Sequence, residues 1–117
     1  MTLDRELLLD LAAEIGRCCA VSPPDFAPKM VRRLQRKFKV KLSPDIITEL
    51  SANYVSIYRF AAVALKECLI LNNDEFASLS HIDSSKFMSK LTEQFPNEDS
   101  AILHEIAHWV IQYEYLR

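Results

Sequence analysis

The chain predicts an all-α fold, a single compact bundle of about five helices with a long central third helix, and one helical domain over residues 1–117. Apolar residues recur at three- and four-residue steps in five stretches, the period of a helix that buries one face. Joints of a few residues separate these stretches, which favours antiparallel neighbours. The longest segment with strand period is Lys39-Val40-Lys41-Leu42, so no sheet is predicted.

The first helix is predicted to start at Thr2 as N-cap and to carry Leu8, Leu11, Ile15, Cys18 and Cys19 on its core side. Ser22-Pro23-Pro24 stops it, because proline has no N–H to donate inside a helix yet fits a first turn. Phe26, Met30, Val31, Leu34 and Phe38 mark the second helix. Ser43-Pro44-Asp45 then places a capping serine, a proline at the first position and an acid at the positive helix end, opening a third helix expected to run from Pro44 to Leu71. On it Ile46, Leu50, Tyr54, Ile57, Ala61, Leu65, Cys68 and Leu69 share one face, while Val55, Tyr58, Phe60, Val63 and Ala64 extend apolarity around the rest. A helix apolar nearly all round is a central one. Its aromatic and alanine content reads as core packing, large rings filling what small residues leave open. After Asn72-Asn73-Asp74, Asp83 or Ser84 opens a fourth helix with Phe87, Met88, Leu91 and Phe95, ended by Pro96-Asn97. Asn97 is expected to cap the fifth helix, with Glu98 and Asp99 in its first turn and Ile102, Ile106, Trp109, Val110 and Tyr113 as its core stripe.

Composition excludes several functions. Gly16 is the single glycine, so phosphate-cradling loops and dinucleotide fingerprints, which need glycine where backbone meets ligand, are ruled out. The longest apolar run, Phe60 to Leu65, is far shorter than the roughly 20 residues of a membrane-spanning helix. The acidic start around Asp4 and Glu6 is unlike a secretory or transit segment, so a cytoplasmic location is expected. Three cysteines, Cys18, Cys19 and Cys68, form neither a disulfide framework nor a CxxC pair and read as small buried hydrophobes.

Charge is strongly segregated. Seven of the fourteen basic residues lie at Lys29, Arg32, Arg33, Arg36, Lys37, Lys39 and Lys41, with no acid among them. The remainder sets seven positive against sixteen negative charges, a net of −9, so the overall −2 conceals a dipolar molecule. At about 100° per residue, Lys29, Arg32, Arg36 and Lys39 gather opposite Met30, Val31, Leu34 and Phe38 and face water. Such a stripe is either balanced by acids of neighbouring helices or attracts an acidic protein or a nucleic acid. Gln35 is the one residue within the run suited to reading bases.

His104-Glu105-Ile106-Ala107-His108 has the HExxH spacing and resembles the zincin metalloprotease helix over five residues. The resemblance implies His104 and His108 as zinc ligands and Glu105 as general base. The third ligand is missing from the pattern. Ile111 stands where the metzincin extension has its turn glycine, and Glu114, at third-ligand spacing, points about 100° away if the helix runs straight on. His81 is the only other histidine. The residues therefore predict no metal, no cofactor and no enzyme, with His104, His108, Ile111 and Tyr115 on an outward face where aromatic and aliphatic groups suit a binding surface.

The expectation is a cytoplasmic protein-binding module, an inhibitor or immunity-type protein that occludes a specific protein partner. Its candidate contacts are Lys29, Arg32, Arg33, Arg36, Lys39, His104, His108, Ile111 and Tyr115. A nucleic-acid-binding protein using Lys29–Lys41 is the alternative, and a zinc-dependent hydrolase the second alternative.

Overall fold

A computed structural model describes residues 5–21, 27–38, 42–69 and 82–115, with the side chains of 20, 21, 27–30 and 115 left aside. The expected all-α bundle is observed. Its helices are α1 (Arg5–Val21), α2 (Ala27–Phe38), α3 (Pro44–Glu67), α4 (Ser84–Gln94) and α5 (Ser100–Val110), and α5 passes directly into a π-helical segment, Ile111–Tyr115. Thr2, Phe26, His81 and the Asn72–Asp74 joint lie outside the described residues.

The long helix is central, as its all-round apolarity requires. It packs against α1, α2, α4 and α5, burying Ile47, Tyr54, Ile57, Tyr58, Ala61 and Leu65. Its start follows the sequence signal, with the Ser43 hydroxyl accepting the Ile46 N–H at 3.3 Å and Pro44 in the first turn. Its end comes earlier than Leu71. The Cys68 N–H turns back to the Leu65 carbonyl at 3.0 Å, the Cys68 carbonyl accepts the Asp83 N–H at 2.8 Å, and Leu69 forms an isolated antiparallel bridge with Ile82. Those backbone groups join the entry to α4 instead of continuing the helix.

Two further starts differ from one another in outcome. Asp83 caps α4 as expected, its carboxylate accepting the Lys86 N–H at 3.0 Å. The cap of α5 is Asp99, not Asn97, and its carboxylate accepts the Ala101 N–H at 2.9 Å. Glu98 instead donates its N–H to the Phe95 carbonyl, so Asn97 and Glu98 belong to the preceding turn. Asp99 also takes both Arg5 donors, at 2.7 and 3.1 Å, which ties the start of α1 to the start of α5. These hydrogen bonds, from Arg5 and then Ala101, hold the Asp99 carboxyl below its ordinary value.

The α1–α5 seam explains the single glycine. Gly16 lies mid-helix, where glycine costs about 1 kcal/mol relative to alanine. A Cβ there would come within 2.6 Å of Trp109 Cδ1 and 2.8 Å of Cγ, so the bare backbone is what lets the indole lie against α1. Trp109 is fixed from its other sides. Its Nε1–H donates to Glu105 at 3.2 Å, and Tyr113 stacks on it with centroids 5.5 Å apart. The core direction of α1 is rotated slightly from the expected one: Leu7, Leu11, Ala12, Ile15 and Cys19 are buried, whereas Leu8 and Cys18 are half-buried. Cys18 thus departs from the reading of three buried cysteines.

Candidate interaction surface

The basic stripe sits on α2 because Leu34 and Phe38 turn inward and leave Arg32, Arg33 and Arg36 exposed. Lys37, at the flank nearest α1, donates to Glu14 at 2.6 Å, and Arg17 holds the other Glu14 oxygen at 2.9 Å. Partial burial works to raise the Glu14 carboxyl, but the two hydrogen bonds outweigh it and keep the group below its ordinary value. No ion pair is formed by Arg32, Arg33 or Arg36 among the described residues. Glu14 therefore balances one edge of the stripe, and among the described residues no acid pairs with its outer face. The Lys29 side chain and Lys39 lie outside the described residues.

Gln35 is not available to read bases. It is half-buried, and its amide donates to Thr48 Oγ1 at 3.2 Å and to the Pro44 carbonyl at 3.4 Å, stitching α2 to the start of α3. The sequence signal was ambiguous because glutamine at the edge of an amphipathic helix serves a neighbouring helix end as readily as it serves a ligand.

On α5, His104 and His108 are exposed, as their phase predicts. His104 Nδ1 lies 3.0 Å from the Ser100 carbonyl, close enough to donate to it in the tautomer that carries the proton on that nitrogen. His108 sets its ring edge-on to Trp109 at 5.9 Å. Glu105, the general base that the HExxH spacing implies, has one oxygen engaged by the Trp109 indole. Among the described residues no third His, Cys, Asp or Glu gathers with the pair into a group that could hold a metal ion.

The helix continues past His108 to Val110, and its departure from a straight α-helical course begins at Ile111. The Ile111 N–H reaches both the Ala107 and His108 carbonyls, and the chain then widens into the π-helical turn. Ile111 consequently turns partly inward and is half-buried rather than outward, and Glu114 accepts the Tyr58 hydroxyl at 3.1 Å. Tyr113, expected in the core, is half-buried and stacked on Trp109; the Tyr115 side chain lies outside the described residues.

The exposed candidates thus form two separate groups, arginines on α2 and a histidine pair on α5. One feature escaped sequence reasoning: Ser51, buried on α3, whose hydroxyl has no hydrogen-bond partner among the described residues. Its signal was the run of small residues Ser51, Ala52 and Ser56, which breaks the otherwise bulky periodicity of that helix. No helix among the described residues is long and apolar enough to cross a membrane. A search of protein-family models, curated proteins and solved structures finds no match to this chain.

Proposed function

We propose that this chain is a small helical protein-binding module of the inhibitor or immunity type, which occludes a site on one specific partner and performs no chemistry of its own. The observation that carries this reading is the outer face of α2, where Arg32, Arg33 and Arg36 are exposed and form no ion pair among the described residues, while Lys37 beside them is paired with Glu14. Exposed guanidinium groups on a rigid helix attract an acidic surface and accelerate encounter with it. Three cysteines without disulfide partners fit a reducing, cytoplasmic setting.

The test is kinetic. A partner co-purified with the chain should associate at least about tenfold more slowly with the Arg32→Glu/Arg33→Glu/Arg36→Glu variant, and the difference should shrink as salt is raised. A complex whose association ignores both the reversal and the salt concentration refutes the reading.

The same arginines support nucleic-acid binding as a second reading, although the engagement of Gln35 leaves that reading with charge and no base-reading group. A gel shift at about 50 mM salt that the triple reversal abolishes would favour it. The zinc-hydrolase reading requires Glu105 to leave Trp109 and a third ligand to join the histidines. Zinc at about one equivalent in protein purified without a metal-chelating tag would favour that reading over ours.

A further inference from the structure

Beside the arginine face runs a groove that the helix packing leaves open. Val31 of α2 lines it together with Thr48, Ser51, Ala52, Val55, Ser56 and Arg59 of α3, and its volume is about 390 Å³. Among these lining residues Ser51 is only 1% exposed. A serine inside a helix commonly donates to the carbonyl four residues earlier. Thr48 makes that bond, to Pro44 at 3.0 Å, whereas Ser51 makes none among the described residues. A buried hydroxyl without a hydrogen-bond partner among the described residues costs stability, which marks the lining of the groove at Ser51 as a loosely satisfied part of the packing.

The walls specify what enters. Ala52 and Ser56 are exposed and small, so a second backbone can approach α3 closely. Val31 and Val55 offer apolar contact. Arg59, the last of these residues along α3, and Arg32, next to Val31, are exposed and form no ion pair among the described residues, whereas the acids Asp45 and Glu49 stand toward the start of that helix. Thr48 to Arg59 spans about 16 Å, three turns of helix. A small molecule would leave much of its surface wet in so open a site. A nucleic-acid strand would want cations along its whole length.

We infer that this groove is the docking site for an acidic amphipathic segment of a partner protein. Its apolar face lies over Val31 and Val55, and its carboxylates turn toward Arg59 and Arg32. The inference rests on the protein-binding reading above and gives the partner its chemistry, in the manner of a helix laid into a groove.

The test uses the full chain and three synthetic helical peptides of about four turns. All share one leucine face, with glutamate, glutamine or lysine on the flanks. In amide NMR spectra the glutamate peptide should shift Ser51, Ala52, Val55 and Ser56 and bind at least tenfold more tightly than the lysine peptide. Arg59→Glu should reverse that order. Ala52→Trp, which fills the groove from an exposed position, should abolish binding while leaving the remaining spectrum folded, and Ser56→Glu should weaken it in the same direction. Equal binding of the three peptides, shifts confined to other surfaces, or no shifts at millimolar peptide would overturn the inference. So would a nucleic-acid oligomer displacing the peptide from these amides, or self-association in sedimentation that Ala52→Trp removes, since the occupant would then be nucleic acid or a second copy. A natural complex lost on reversing Arg32, Arg33 and Arg36 but unaffected by Ala52→Trp defeats the groove and leaves the protein-binding reading standing.

Discussion

Replacing Gly16 by alanine sets two effects of opposite sign against each other. Helix propensity alone favours the substitution by about 1 kcal/mol, because alanine loses less backbone entropy in α1. Packing opposes it. The new methyl would sit 2.6 Å from Trp109 Cδ1, and ordinary carbon contact begins near 3.5 Å, so indole and helix must separate by about 0.9 Å. The indole cannot retreat freely, since Glu105 holds its N–H and Tyr113 is stacked on it. Overpacking of this kind costs typically about 1–3 kcal/mol, and a contact this short to a ring fixed on two sides belongs to the upper half of that range. The net expectation is a loss of about 1–2 kcal/mol, or a Tm lower by roughly 4–8 °C in a chain of this size. Urea denaturation followed by far-UV circular dichroism measures the loss, and Trp109, the single tryptophan, reports the seam through its fluorescence. In the Trp109→Leu background the same Gly16→Ala change should turn neutral or stabilising, a coupling of at least about 1 kcal/mol. If Gly16→Ala raises stability in the natural background, the seam is not tight and the account of the glycine is wrong.

Three other outcomes follow from single contacts. Cys18 should be alkylated in the native protein while Cys19 and Cys68 wait for unfolding, because both are buried and burial pushes the Cys19 thiol up to about 12; intact mass should show one adduct before denaturant and three after. Glu14 is held below its ordinary 4.5 in the folded protein, so its contribution is in place above that value and is lost as pH falls through the lower folded one. Glu14→Gln should therefore cost roughly 0.5–1 kcal/mol at pH 7, after allowing for solvent screening, and should narrow its gap to the natural protein in acid, as pH-dependent urea midpoints would reveal. Ser51→Ala removes a buried hydroxyl without a partner among the described residues and should be neutral or stabilising by up to about 1 kcal/mol in thermal melts; a clear loss would mean that the hydroxyl has a partner in solution.

Much of the fold was legible because local chemistry sufficed to write it. Ser43-Pro44 and Asp83 act within one helical turn, and both begin helices where expected. Arg32, Arg33 and Arg36 follow from phase alone, since Leu34 and Phe38 leave them only the outward side. The displaced cap at Asp99 was less legible: Asn97 and Asp99 are both capping residues, and the choice falls to Asp99, whose carboxylate also meets Arg5 from a helix 94 residues away in sequence.

The candidate site divides along the same line. Periodicity placed His104 and His108 on the outside, because the angle between neighbours on one helix is set by the covalent chain. It could not foresee that Glu105 would bind Trp109, that Gln35 would join Thr48, or that Ser51 would find no partner among the described residues. Each of those outcomes depends on which group from another helix arrives within about 3 Å, a distance that packing decides. The sequence by itself determined the helices, their buried faces and the arginine stripe, since these need only local periodicity and capping. Tertiary packing alone decided why Gly16 is a glycine and where α2 and α3 leave a groove, because both concern the space between helices.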